Sequence, residues 1–134
     1  MNNMSNEKKL ILIVDDDADF LEQMKFHIEK IGYDVVVAES QKEGEKYIEK
    51  NKPDLAIIDL MMENEDSGFI LSYKIKKKYP DVPVIIATAV TSETGMVFGL
   101  SNKEERSWIK ADLYLEKNLR PDQLQREISK LLKE

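Results

Sequence analysis

Apolar residues fall into two alternating patterns along this chain: short unbroken runs, and stretches in which they recur every three or four positions. Leu10-Ile11-Leu12-Ile13-Val14 is the first unbroken run, and a β-rich run of that length predicts a strand buried on both faces. From Ala18 the step changes. Phe20, Leu21, Met24, Ile28 and Ile31 mark one face of a helix, and Gly32 stands where a left-handed helix stop is wanted. Tyr33-Asp34-Val35-Val36-Val37-Ala38 predicts a second strand. Ser40 and Glu43 have capping-box spacing and open a helix that carries Tyr47 and Ile48 and ends before Pro53. Leu55-Ala56-Ile57-Ile58 is a third buried run leading straight into Asp59. Gly68 precedes a third helix, with Leu71 and Ile75 four apart, closed by Tyr79-Pro80. Val82 to Ala89 reads as a fourth strand. Val90 to Ala111 is the least regular stretch, with a short helical pattern from about Asn102 that includes Trp108, read as packing. Leu113-Tyr114-Leu115 is a fifth strand; with Pro121 as first helical residue, Leu124, Ile128, Leu131 and Leu132 give a final amphipathic helix.

Strands alternating with helices five times over imply an α/β domain built on a parallel sheet with helices on both faces. Right-handed crossovers leave few topologies, and the doubly wound order 2-1-3-4-5 is the natural one for five units. The expected organisation is a polar tail over residues 1–7 and one domain over residues 8–134.

Composition narrows the class. With 134 residues, 42% hydrophobic and 34% charged, the chain can build one real core. A net charge of −6 argues against a nucleic-acid surface, which wants a basic face. Without cysteine there are no disulfides and no thiolate metal sites. No stretch approaches the roughly 18 apolar residues of a membrane span, and the first residues lack a signal-like apolar core, so a cytoplasmic location is expected.

Asp59 is the residue to explain. An ionised carboxylate at the end of a buried strand costs several kcal/mol to desolvate. From the local window alone, an acid capping the next turn and a reactive group at the sheet's carboxyl edge are equally good readings. In sheets of this kind the ligand site lies beyond the strands' carboxyl ends, where the order reverses. Those ends carry Asp15, Asp16 and Asp59. Three converging carboxylates repel one another, so they should shift pKa or recruit a cation; with only oxygen donors, magnesium fits best. Thr88 adds a hydroxyl at the end of the fourth strand and Lys117 an ammonium at the end of the fifth. A nucleophilic carboxylate, a metal, a hydroxyl and a lysine match the needs of phosphoryl transfer.

Five pieces in order carry a resemblance: Ile13-Val14-Asp15-Asp16-Asp17, Asp59-Leu60-Met61-Met62, Asp66-Ser67-Gly68-Phe69, Thr88-Ala89 and Tyr114-Leu115-Glu116-Lys117. Together they make the chain resemble the receiver domain of two-component response regulators, over roughly residues 8 to 134. The family's fold is flavodoxin-like with the same strand order, so the topology above is not independent of the resemblance. The resemblance implies that Asp59 is phosphorylated by a phosphohistidine on a histidine kinase or phosphotransfer protein. It implies that Asp15, Asp16, Asp59 and the backbone carbonyl of Met61 hold magnesium. Lys117 would pair with the phosphoryl oxygens or with Asp59, and Thr88 would hydrogen-bond the acyl phosphate. Tyr114 would switch rotamer with Thr88 and report to the output face. The expectation is a stand-alone signalling switch or relay rather than an enzyme, one that would catalyse only its own phosphorylation and dephosphorylation. Its output is binding to a downstream protein target through the helix from about Asn102, the fifth strand and the final helix.

The sequence departs from the family pattern in four places. Asn118 replaces the usual proline after the lysine, which predicts a trans bond there, because a cis bond before a non-proline residue costs about 2.5–4 kcal/mol. Glu63 to Gly68 makes the turn after Asp59 longer and more acidic. The Thr88–Lys117 interval is longer, with the excess in Val90–Lys103, where Met96, Val97, Phe98 and Leu100 are expected to pack as an ordered loop, against the alternatives of a mobile flap beside the site or a partner-binding patch. Met61 and Val90 are apolar at positions that influence water attack in the family, predicting a long-lived phosphorylated state.

Other residues read more plainly. Asp17 is expected to start a helix, His27 to sit at the surface, and Lys74 to Lys78 to form a solvated helix face. Two other functions compete. A pseudo-receiver that binds partners without phosphate would not need the intact Asp15, Asp16, Asp59, Thr88 and Lys117. An aspartyl-phosphate hydrolase of the haloacid-dehalogenase type would want an acid at Met61 and a cap domain.

Overall fold

A computed structural model describes residues 9–60, 62, 67–88, 112–116 and 120–133. The tail, Met61, most of the acidic turn, the Val90–Lys103 loop, Trp108, Lys117 and the bond before Asn118 lie outside them. In chain order the elements are β1 (Leu10–Val14), α1 (Ala18–Lys30), β2 (Asp34–Ala38), α2 (Gln41–Lys50), β3 (Leu55–Asp59), α3 (Ser67–Lys78), β4 (Val84–Thr88), β5 (Leu113–Glu116) and α4 (Pro121–Leu132). The five strands are parallel in the order β2-β1-β3-β4-β5, as the pattern predicts.

Strand alternation divides the interior in two. Ile11, Ile13, Leu55, Ile57 and Ile85 face α1 and α4, where Leu21, Ile28, Leu124 and Ile128 meet them. Leu12, Val14, Ala56, Ile58 and Val84 face α2 and α3, meeting Ile48, Leu71 and Ile75. Every residue of β3 is buried, which is why its sequence reads as an unbroken apolar run rather than an alternating one. Each such aliphatic side chain contributes about 1.5–3 kcal/mol on burial, and this central strand anchors Asp59.

Local signals act as expected at most helix ends. Asp17 caps α1, accepting from the N–H groups of Asp19 at 3.0 Å and Phe20 at 3.2 Å. Gly32 has φ 109°, the left-handed stop after α1. Ser40 caps α2 through the Glu43 N–H at 3.1 Å, and the Glu43 carboxylate accepts from the Glu39 N–H at 2.9 Å, one residue earlier than in a standard capping box. Pro121 opens α4.

Three expectations need correction. Gly68 does not precede α3; it lies in its first turn, where the missing side chain lets the helix rest on the end of β3. Tyr33 lies before β2 rather than within it, although its ring is buried in the core. Lys74 to Lys78 is not simply a solvated face. Lys74 pairs with Glu45 at 2.9 Å, Lys76 with Asp112 at 2.8 Å, and the Lys78 ammonium donates to the Glu49 carbonyl at 2.8 Å. These lysines tie α3 to α2 and to the start of β5. His27 is half-buried, edge-on to the Phe26 ring with centroids 5.5 Å apart.

Candidate functional site: a carboxylate cluster at the sheet's carboxyl edge

Backbone register brings the predicted acids together. Val14 pairs with Ile58, so Asp15 and Asp59 are the next residues on neighbouring strands. Both also continue the alternation that points Ile13 and Ile57 toward the α1 and α4 face. The Asp15 N–H still donates to the Ala38 carbonyl at 3.1 Å, and the Leu60 N–H to Ala87 at 3.0 Å. Each acid is therefore held by backbone still within the ladder, not by a free loop.

Asp15 and Asp59 are buried, 0% and 6% exposed, while Asp16 is open to solvent. The Asp15 Oδ1 atom accepts from the Asp17 N–H at 2.9 Å, fixing the carboxylate's rotation at the head of α1. Its Oδ2 is also enclosed. One carboxylate oxygen from each of Asp15, Asp16 and Asp59 lies within 4.8 Å of the other two. This cluster was legible in the sequence; its tightness was not.

The donor set fits magnesium. Oxygens sharing one octahedral Mg2+ at about 2.1 Å lie roughly 3–4 Å apart, so a small closure, or a bridging water, is all the cluster needs. Hard oxygen donors without nitrogen or sulfur exclude no other hard ion but suit this one best. The structure places two buried carboxyl groups and one exposed one at a single point, a set of oxygens that a divalent cation can bridge.

Thr88 ends β4 and pairs in register with Glu116, while Asp59 pairs with Ala87. The backbone thus carries Thr88 to the same sheet edge as Asp59. The side chains of Thr88 and Tyr114, and Lys117 and Met61 altogether, lie outside the described residues.

Sequence reasoning singled out Gly68 as a helix boundary and as part of a matching motif but missed its packing against the end of β3. A Cβ built there would meet the Asp59 carbonyl oxygen, and would lie 2.7 Å from both the Cα and the carbonyl oxygen of Leu60. The Gly68 N–H donates to that Leu60 carbonyl at 2.9 Å. A glycine at a helix start just after a chemically unusual strand end was the available signal.

Comparisons with known proteins point one way. Residues 11–129 match the family profile described as "Response regulator receiver domain". A CheY-like response regulator receiver domain protein from Methanospirillum hungatei JF-1 superposes with TM-score 0.81 at 31% identity, over 95% of each chain. The response regulator protein TrrA from Thermotoga maritima, solved in complex with Mg2+–BeF, gives TM-score 0.75 at 32% identity, over 92% of this chain and 98% of that one. Among curated proteins, a probable transcriptional regulator ycf27 from Pyropia yezoensis is 32% identical over 97% of this chain and 50% of its own length. The regulatory protein PhoP of Bacillus subtilis, named for alkaline phosphatase synthesis, is 29% identical over 93% of this chain and 49% of its own. The chain spans about half the length of these curated relatives. No helix among the described residues is long and apolar enough to cross a membrane.

Proposed function

The chain belongs to the response regulator receiver domain family, and we propose that it is a phosphoacceptor switch in which Asp59 takes a phosphoryl group from a phosphohistidine. The single observation that carries this reading is the tight cluster of Asp15, Asp16 and Asp59 at the carboxyl edge, with two of the three acids buried. A merely structural acid has no reason to sit buried among like charges.

Asp59 is the nucleophile: its carboxylate oxygen attacks the phosphorus, the bond to the donor's imidazole nitrogen breaks, and an acyl phosphate remains. Asp15 and Asp16, with Asp59 and the Met61 carbonyl, would hold magnesium. That ion supplies neutralisation of the oxygens' charge and alignment of the transferred group. Asp15 is pre-aimed by its bond from the Asp17 N–H, so little rearrangement is required of it. Lys117 balances charge on the phosphoryl oxygens, and Thr88 donates to them. Thr88 and Tyr114 then carry the change to a partner surface. Phosphorylation adds close to two negative charges and three acceptor oxygens, enough to bias a loop between two arrangements.

On this reading the chain is not an enzyme with an external substrate; it catalyses its own phosphorylation and dephosphorylation. Its partners are a histidine kinase or phosphotransfer protein and a downstream protein, met in the cytoplasm. The test is transfer from a phosphorylated histidine-kinase core with magnesium, followed by partner binding. The wild type is expected to gain label and change its binding, and Asp59→Asn to do neither. Equal partner binding by both, with no label on either, would show a phosphate-independent interaction module instead.

A further inference from the structure

We propose that Gly68 is a positioning residue for the metal and phosphoryl site, acting through the backbone of Asp59 and Leu60; the inference rests on the reading of that site given above. Two contacts grip Leu60, the residue after the phosphoacceptor, one on each of its flanking peptide groups. On one side the Leu60 N–H donates to Ala87 of β4 at 3.0 Å; on the other the Leu60 carbonyl accepts from Gly68 at 2.9 Å. Leu60 is 2% exposed, so neither contact competes freely with water. The first turn of α3 can approach this closely only without a side chain. A Cβ at position 68 would strike the Asp59 carbonyl and stand 2.7 Å from two backbone atoms of Leu60. Those are backbone atoms of a buried strand end, so relief requires moving either the helix or the segment that carries Asp59.

The segment that carries Asp59 is the one whose placement matters. Its carboxylate must stay within 4.8 Å of those of Asp15 and Asp16. The Asp15 carboxylate is held at the head of α1 by its bond from the Asp17 N–H at 2.9 Å, and Asp17 in turn caps that helix. Displacing the end of β3 therefore moves Asp59 relative to carboxylates carried by a different part of the chain. Gly68 touches no phosphoryl group or ion itself. It sets the reach between one ligand and the other two, in the way outer residues tune a metal site.

The test measures the Mg2+ dissociation constant by amide chemical-shift titration, which also reports folding, in the wild type, Gly68→Ala and Gly32→Ala. Gly32, at φ 109° with open space around it, is strained by alanine yet sits far along the chain from the cluster. Gly68→Ala is expected to weaken Mg2+ binding roughly 10-fold or more. Gly32→Ala is expected to lower the melting temperature and leave Mg2+ affinity unchanged. A second variant, with the Gly68 N–H replaced by an ester oxygen through semisynthesis, keeps the shape and removes only the tether to Leu60. It is expected to weaken Mg2+ binding several-fold, and it decides the matter if Gly68→Ala does not fold. Wild-type affinity in a folded Gly68→Ala, or in the ester variant when Gly68→Ala is unfolded, overturns the role of Gly68 alone. Failure of the wild type to bind Mg2+ overturns the site reading with it.

Discussion

The two edges of one sheet use the same residue in opposite ways. At the amino edge, Asp54 precedes β3 and its Oδ2 accepts from the Leu10 N–H at 2.7 Å, while its own N–H donates to Leu10 at 2.8 Å. Asp112 repeats the arrangement before β5: its Oδ2 accepts from Val84 at 2.8 Å, its N–H donates to Val84 at 2.8 Å, and Lys76 adds an ion pair. At the carboxyl edge, Asp15, Asp16 and Asp59 instead crowd together. Strand polarity explains the difference. Parallel strands begin with free N–H groups, which a carboxylate satisfies, and end with free carbonyls, which it cannot. An acid at the first edge is a clamp; an acid at the second wants a cation.

The largest expected effect separates the edges by metal binding. Asp15→Asn keeps its bond from the Asp17 N–H but loses a ligand charge, and calorimetric titration is expected to show Mg2+ affinity down by about 100-fold. Asp54→Asn is expected to bind as the wild type does. Similar losses in both would erase the distinction.

Stability supplies the next effect. Asp112→Ala leaves the Val84 N–H without its side-chain acceptor and the Lys76 ammonium, with only 19% of its side chain exposed, without its anion. Urea denaturation is expected to show a loss of about 1–3 kcal/mol.

The carboxyl edge has the opposite sign. Without divalent ions, Asp15→Asn removes one charge from a repelling cluster and is expected to stabilise the fold by about 1–2 kcal/mol. Destabilisation in EDTA would mean that the acids are not in conflict.

The element pattern and the carboxyl-edge acids were legible because both are local. An apolar run ending in Asp59, or in Asp15-Asp16, announces itself within a few residues, and the alternation of strands and helices then fixes which ends meet. The amino-edge clamps were invisible: Leu10 and Asp54 lie 44 positions apart, and Val84 and Asp112 lie 28 apart. The same holds for Lys74 and Glu45, separated by 29 positions, whose pairing turns an apparent solvated face into a seam between α2 and α3. Gly68 read as punctuation before a helix, because its purpose lies in atoms of Asp59 and Leu60 that the periodicity of α3 does not see.

The smallest effect is a surface control. The Lys52 hydrogen bond holds the Asp81 carboxyl below the usual carboxylate value, and both side chains are exposed. A lowered folded-state value stabilises above the unfolded value and is lost as pH falls through the folded one, so any contribution disappears only below about pH 4. Being exposed, it is screened by salt. Asp81→Asn is expected to leave the urea midpoint at pH 7 and physiological salt unmoved, unlike either edge.

The most direct test asks which edge's aspartate takes the phosphoryl group. The chain is incubated with phosphoramidate, with magnesium or with EDTA, and the modified residue is located by mass spectrometry after borohydride trapping. One phosphoryl group on Asp59, present with magnesium and absent with EDTA, is the expected result. Label on Asp54 or Asp112, label that survives EDTA undiminished, or no label at all would contradict the account.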